Sequence, residues 1–420
     1  MEQAPGLLPR GQGHRPAARS RDPEPRNERI CPREAKTNLL GMPREALKSF
    51  FEDLGEKPYR ATQVMRWIYG AKVTDIDAMT DISKSLRSRL KEIAEIRAPP
   101  FSAGRQSSDG VIKWLAYTEH DQAVETVLIP EDGRGHPGKS AAADGGSPSA
   151  NGRNTLCISS QVGCSLDCSF CATGKQGFNG NLTRAEIVGQ VWQADRELRE
   201  RGDERGITNV VFMGMGEPLL NFEPVLDATD VLMDDLGFGI SKRRVTISTA
   251  GVAPRIHDMA ARTDVSLAVS LHAARDELRD TLVPLNRKYP IAELLDACRH
   301  YLRGLGERRN VTMEYTLIEG VNDSARDARE LAHLLTGLRA KVNLIPFNPF
   351  PEDRNGYRRP APSGIANFQA SLLNAGISAM LRTTRGEEIG AACGQLTGSV
   401  HDRTRRRVRY LARERNSVRP

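Results

Sequence analysis

The sequence predicts an α/β protein: an open, partial (β/α)6 barrel with a small N-terminal helical domain. Two observations carry this. From Thr155 onward, short strand-like runs alternate six times with helical stretches, which argues for a parallel sheet with right-handed crossovers. Six units fall short of the eight that close a (β/α)8 barrel. Upstream, apolar residues recur at helical spacing through residues 44–93. At 420 residues the chain has room for two to three domains, or for one barrel with additions. Its 39% hydrophobic and 27% charged residues exclude a wholly disordered chain. No run approaches 18 apolar residues, so no membrane span is expected.

Residues 1–40 are rich in Pro, Arg, Gly and Glu and read as a disordered extension. The first 29 lack the apolar stretch of a secretory signal. Leu47, Phe50, Phe51 and Leu54 fall at i, i+3, i+4 and i+7 and predict a helix over 44–55. Val64, Trp67 and Ile68 predict a second over 61–69; Leu86, Leu90 and Ile93 predict a third over 83–93. Residues 41–100 are thus expected to form the helical domain. Strands at 111–117 and 123–129 make 101–154 a β-hairpin linker. Its stretch 133–153 is Gly/Ser/Ala/Pro-rich without an apolar face and reads as a flexible insertion. In the barrel, residues 155–385, strands are predicted at 156–160, 210–213, 244–248, 267–271, 311–318 and 342–345. The helices between and after them fall at 184–199, 224–236, 253–262, 291–302, 325–335 and 364–374. Ligands of such a layout sit at the C-terminal strand ends. A Gly-rich loop, 386–400, and an Arg-rich tail, 401–420, complete the chain.

Lys plus Arg exceed Asp plus Glu by seven, and eight arginines lie in the last twenty residues against Asp402 and Glu414. That tail favours a polyanion such as RNA, although a solvated chain end has the same composition. Lys242-Arg243-Arg244 is a weaker hint of the same kind. Aromatics are only 5%, so broad base-stacking surfaces are not expected. The seven cysteines, an odd number, point to a reducing compartment and a cytoplasmic protein. Cys298 reads as helix packing, and Cys31 lies in the extension. Cys164, Cys168 and Cys171 fall within eight residues, just after the first barrel strand. Thiolates select zinc, copper or iron–sulfur clusters. A structural zinc wants four ligands, usually as two pairs, and no second pair follows. Three thiolates can instead hold three irons of a [4Fe–4S] cube and leave the fourth to another ligand. A zinc-dependent RNA-binding module is the non-enzymatic alternative.

Cys164-Ser165-Leu166-Asp167-Cys168-Ser169-Phe170-Cys171 resembles the CxxxCxxC signature of the radical S-adenosylmethionine (SAM) superfamily. Met213-Gly214-Met215-Gly216-Glu217-Pro218 resembles that superfamily's SAM-amino-group motif. Ala391-Ala392-Cys393-Gly394-Gln395-Leu396 narrows the resemblance to the RlmN/Cfr RNA methyltransferases, over roughly residues 44–397. Ser159-Ser160-Gln161-Val162-Gly163-Cys164, Ser241-Lys242-Arg243-Arg244-Val245-Thr246 and Gly320-Val321-Asn322-Asp323 extend it.

The resemblance implies one [4Fe–4S] cluster on Cys164, Cys168 and Cys171, completed by SAM, with two SAM used per turnover. It implies SAM contacts from Gly216, Glu217, Ser248, Ser270, Leu271, His272 and Asn348. Cys393 would carry an S-methyl group to the substrate, Cys157 would resolve the adduct through a transient Cys157–Cys393 disulfide, and Glu125 would be the proton acceptor. The 41–100 domain would bind RNA. The implied partners are 23S rRNA, tRNA and an electron donor of flavodoxin type, with the chain acting as a monomer. Methylation at adenine C2 and at C8 both occur in the family. Val283-Pro284-Leu285-Asn286 and Leu344-Ile345-Pro346-Phe347-Asn348-Pro349 look more like the C2 type.

Overall fold

The computed structural model describes residues 36–119, 122–131, 152–351 and 353–404. Cys31, most of the expected extension and insertion, and the tail beyond Thr404 lie outside the described residues.

The helical segment opens on β1 (Thr37–Asn38) and closes on β2 (Ala94–Glu95), its parallel partner. Between them α1 (Arg44–Asp53), α2 (Tyr59–Met65) and α3 (Lys84–Ile93) bury Leu47, Phe51, Val64, Met65, Leu86 and Leu90, the apolar faces their spacing requires. The second expected helix continues past α2 as a π turn at Arg66–Gly70, where the Ala71 N–H reaches the Arg66 carbonyl at 3.0 Å.

The rest is organised by one ten-stranded sheet. Short β3 (Arg105–Gln106) and long β4 (Ile112–Tyr117) and β5 (Ala123–Glu131) are antiparallel. β6 (Arg153–Cys157) is antiparallel to β5 and begins the parallel part. From β6 the chain makes a small hairpin, β7 (Gln161–Gly163) and β8 (Phe178–Asn181), around α4 (Ala172–Gln176). It then enters α5 (Arg184–Glu200), which Thr183 and Glu186 start with a capping box. β9 (Asn209–Phe212), α6 (Phe222–Met233), β10 (Val245–Thr249), α7 (Ala253–Ala260) and β11 (Ser266–Ser270) continue the alternation. After the short α8 (Asp276–Leu282) come α9 (Ile291–Arg303), β12 (Val311–Leu317), α10 (Ala325–Leu335), β13 (Ala340–Pro346), α11 (Pro362–Asn374) and β14 (Ala379–Leu381). The six β/α units are those the sequence predicts. Within the main sheet, the β4–β5 hairpin is the antiparallel continuation of the barrel sheet, and β14 adds a further parallel strand.

Strand side chains alternate faces. On β10, Val245, Ile247 and Thr249 are buried while Thr246 and Ser248 are half-buried. The ladder propagates this inner face: Lys113 opposes Val127, Val127 opposes Cys157, Ser248 opposes Ala268, Ser270 opposes Glu314 and Glu314 opposes Asn343. Glu125, two residues before Val127, shares that face. The polar inner row is where a ligand has access. The outer row meets helices: Trp114 donates to Glu197 on α5 at 2.8 Å, and Thr126 to Gln190 at 2.9 Å. α5 also carries the helical segment, through Trp192 donating to the Ile68 carbonyl (2.8 Å) and Lys72 pairing with Asp195 (2.9 Å).

Candidate active site

The three-cysteine loop is framed by the β7–β8 hairpin. Gly163 (φ +75°) faces Gly177 so closely that a Cβ there would sit 2.1 Å from the Gly177 carbonyl oxygen. The Cys164 N–H donates to that carbonyl at 2.8 Å, and Cys171 is the N-cap residue of α4. Ser169 N–H bonds the Leu282 carbonyl at 3.0 Å, tying the loop to α8. Burial pushes the Cys168 thiol well up, and the nearby Cys171 and Cys164 thiolates push the same way. Among the described residues no three His, Cys, Asp or Glu side chains close on one point as a single ion requires. Three thiols on one short loop, close enough to act on one another electrostatically, are the soft donor set that an iron–sulfur cluster takes.

The strand-end groups surround this loop. Gly216 (φ +101°) lies against Gln161, where a Cβ would meet Gln161 Cβ at 2.5 Å. Glu217 is buried; its Oε2 accepts from Ala250 N–H (2.7 Å) and its Oε1 from Leu219 N–H (3.0 Å). Burial pushes its carboxyl up to about 7 against those bonds. Ser248 and Ser270 are half-buried on the inner face. The Leu271 side chain is in the core, its N–H donates to Glu314 O (3.0 Å), and its carbonyl accepts from Arg279. His272 adopts φ +59°, and its ring packs edge-on against Phe170 with centroids 4.4 Å apart. Its Nδ1 accepts from Thr316 N–H at 2.9 Å, and burial pushes its pKa down to about 3, so the ring is neutral. Asn348 faces the 386–400 loop: it donates to the Cys393 carbonyl at 3.0 Å and accepts from Arg359 at 2.8 Å.

That loop crosses the barrel mouth by successive anchors. Ala172 N–H, at the start of α4, donates to Gly394 O (2.8 Å), and the Thr173 hydroxyl donates to Leu396 O (2.7 Å). Ala123 N–H donates to Ser399 O at 3.1 Å. The crossing sets Gly394, next to half-buried Cys393, against Phe170 of the three-cysteine loop, and brings Cys393 within electrostatic reach of Cys157, the last residue of β6. Burial and the neighbouring Cys393 push the Cys157 thiol up to about 12. Glu125, 3% exposed, accepts from Thr397 N–H on Oε2 (2.9 Å) and pairs with Lys113 through Oε1 (2.7 Å). Burial raises its pKa, and Lys113 and Thr397 oppose the rise. Cys298 is buried in the apolar core on α9, far from the three-cysteine loop in sequence.

Three residues of the site escape a reading of the sequence. Lys113 looks like a solvent-facing strand lysine. Arg279 looks like an exposed helix arginine, yet it is fully buried and donates to Leu271 O, Asn286 Oδ1, Ala250 O and Ser270 O at 2.7–3.0 Å. It therefore clamps two strand ends beside the cysteine loop. Arg382, just past β14, senses Cys393 most strongly, then Glu314 and Cys157, and its charge eases the cost of a thiolate at Cys157. No motif marks any of them, because each gains its role from partners far away in sequence.

A partial barrel with three thiols on the loop leaving its first parallel strand, and buried polar groups at its strand ends, is the radical SAM fold; residues 158–332 match the model of the Radical SAM superfamily. Residues 37–96 match the model described as ribosomal RNA large subunit methyltransferase N-terminal domain. The dual-specificity RNA methyltransferase RlmN of Marinobacter nauticus is 56% identical over 378 residues, 90% of this chain and 97% of that protein. Its counterpart in Pseudomonas fluorescens is 52% identical over 91% of this chain and 96% of that protein. The crystal structure of a radical SAM methyltransferase from Sphaerobacter thermophilus is 42% identical, with a TM-score of 0.75 over 86% of this chain and 99% of that one. The chain belongs to the RlmN family of radical SAM RNA methyltransferases.

Proposed function

We propose that this enzyme methylates C2 of adenosine in two RNAs: 23S rRNA, at the peptidyl-transferase centre, and tRNA, at the adenosine 3′ to the anticodon. The dual specificity named for its relatives supports two RNA substrates. One observation carries the reading. A single loop presents Cys393 near Cys157, lays Thr397 on Glu125 and bonds the helix that follows the three cysteines.

An adenine C–H carbon is electron-poor and does not displace a methyl group from a sulfonium. When bound, the cluster and SAM supply the carbon-radical chemistry that lifts this restriction. Cys164, Cys168 and Cys171 would hold one [4Fe–4S] cluster. Gly216, Glu217, Ser248, Ser270, Leu271, His272 and Asn348 would line the SAM site, with two SAM used per turnover. Cys393 accepts the methyl group as a sulfur nucleophile and carries its carbon to the base. Glu125 takes the ring proton; burial gives its carboxylate the basicity for that task. Cys157 then bonds the Cys393 sulfur, which releases the product and leaves a disulfide that two external electrons must reopen. The helical segment matched at 37–96 would bind the RNA. A flavodoxin-type protein as donor, a monomeric chain and a cytoplasmic site of action complete the proposal.

The test is nucleoside mass spectrometry of rRNA and tRNA from a strain lacking this gene, complemented with wild type or Cys393→Ala. Wild type restores 2-methyladenosine in both RNAs and the variant in neither. Appearance of 8-methyladenosine instead would overturn the C2 assignment in favour of C8. Methylation by Cys393→Ala would overturn the role of Cys393.

A further inference from the structure

Lys113 and Glu125 are diagonal neighbours on the inner face of the β4–β5 ladder, where Lys113 opposes Val127 and Glu125 opposes Leu115. Their side chains are only 11% and 5% exposed. Lys113 Nζ reaches two acceptors at once: Glu125 Oε1 at 2.7 Å, and the Gly390 carbonyl, three residues before Cys393, at 3.1 Å. Gly390 sits at φ +62° with open space around its Cα apart from that ammonium, so the carbonyl is presented by a turn suited to glycine. The other carboxylate oxygen accepts from Thr397 N–H at 2.9 Å. Lys113 and Glu125 are therefore held between the sheet and both ends of the Cys393 segment.

Stability alone does not account for such a pair. Removing two charges from water costs about what their attraction returns, and an apolar pair fills the same space as well. The arrangement has a chemical use. An ionised carboxylate has about four lone-pair sites. Lys113 and Thr397 occupy two of them and leave two to receive a proton.

We propose that Lys113 is the positioning residue of the base: it holds Glu125 ionised in a buried site and registers it against the loop that carries Cys393. The inference rests on Glu125 being the proton acceptor. The charged and titratable groups acting on Glu125 are Lys113 from β4 and Arg105 from β3; the loop contributes the Thr397 N–H, and Cys157 of β6 lies on the same face, opposite Val127. Lys113 is the one that touches it, so its removal leaves burial largely uncompensated and moves Glu125 further up. The base works deprotonated, so methylation must then demand higher pH.

The experiment is the pH profile of single-turnover RNA methylation by anaerobically reconstituted holoenzyme, comparing wild type with Lys113→Met, Lys113→Gln and Lys113→Arg. Lys113→Met should displace the acidic limb upward by about 1–3 units, the range over which an adjacent opposite charge moves a carboxyl. On the acidic side of both limbs the rate then falls about tenfold for each unit of displacement, and alkali restores it. Lys113→Gln keeps a hydrogen-bond donor there without the charge and should shift likewise, which covers the case in which Lys113→Met does not fold. Lys113→Arg should keep the wild-type limb. A rate loss equal at every pH in both neutral variants would reduce Lys113 to a structural part and overturn the proposal. Glu125→Gln separates the two assignments. If it methylates RNA at the wild-type rate, the base assignment fails. If it is inactive while the neutral Lys113 variants keep the wild-type limb, the Lys113 inference alone fails.

Discussion

Burial and donated hydrogen bonds pull Glu217 in opposite directions. Loss of water favours its neutral form, whereas Ala250 N–H, Leu219 N–H and the Thr249 hydroxyl favour the carboxylate, and burial wins, at about 7. In the ligand-free chain this raised value has a definite sign. Glu217 contributes stability below the ordinary carboxylate range and loses it as pH rises through about 7. An arriving cation reverses the preference. If Glu217 receives the SAM ammonium, SAM affinity should rise with pH by up to about tenfold per unit below 7 and level off between there and the ordinary α-amino pKa of about 8. Calorimetric titration of the reconstituted enzyme measures this, and Glu217→Gln should bind weakly with no such slope. A wild-type slope in that variant would remove Glu217 from the SAM site. His272 is the counterpart on the other side of the loop. It is kept neutral down to about 3, so its ring offers a fixed Nε2–H at any physiological pH.

Among elements, the β7–β8 hairpin is one that the alternation of the sequence does not announce. Its strands are three and four residues long, too short for a period to register. It is set by two glycines fourteen positions apart, Gly163 at φ +75° and Gly177 at φ +86°, whose backbones touch. Gly163→Ala combines a left-handed conformation with a backbone clash, each disfavoured for a side chain. A loss of at least about 2 kcal/mol is expected, read as a fall in Tm together with less iron per chain after reconstitution. Gly180→Ala, in the same hairpin with nothing within 4 Å of its Cβ, should stay within about 0.5 kcal/mol of wild type. Equal losses in the two variants would show that the close approach does not matter. The longer elements are legible for the opposite reason. α1, α3, α5 and α9–α11 repeat an apolar face over ten or more residues, and that face is what the sheet and α5 bury.

At the scale of the whole molecule, two segments that are distant in sequence make the enzyme. α5 is a shared wall: the helical segment rests on Trp192 and Asp195, and the antiparallel strands on Gln190 and Glu197. The Arg-rich tail begins inside the fold, since Arg403 N–H donates to Phe178 O (3.0 Å) and Asp402 accepts from Phe178 N–H (3.3 Å). A truncation that tests the tail therefore starts after Thr404 and removes seven arginines and one glutamate. If the tail touches RNA phosphates, the slope of log affinity against log salt becomes shallower by about 0.7–0.9 for each phosphate the tail had neutralised. RNA binding measured across a salt series checks this, and an unchanged slope would exclude such a role for the tail.

Sequence alone determined what depends on neighbours along the chain. It supplied the six β/α repeats, the three helices between 44 and 93, and Cys164, Cys168 and Cys171, whose ligand spacing spans only eight residues. Family motifs extended this to Glu125, Cys157 and Cys393, but no local pattern says that Cys393 lies near a thiol more than two hundred positions earlier. Tertiary structure decided what depends on partners brought together across the sheet. Lys113 became an ion-pair partner through ladder register, Arg279 a buried clamp through four acceptors on other elements, and Arg382 a neighbour of two thiols through the extra strand β14. The physical reason is range. Periodicity and ligand spacing are written over a few residues, whereas burial and charge are properties of a place that distant segments build together.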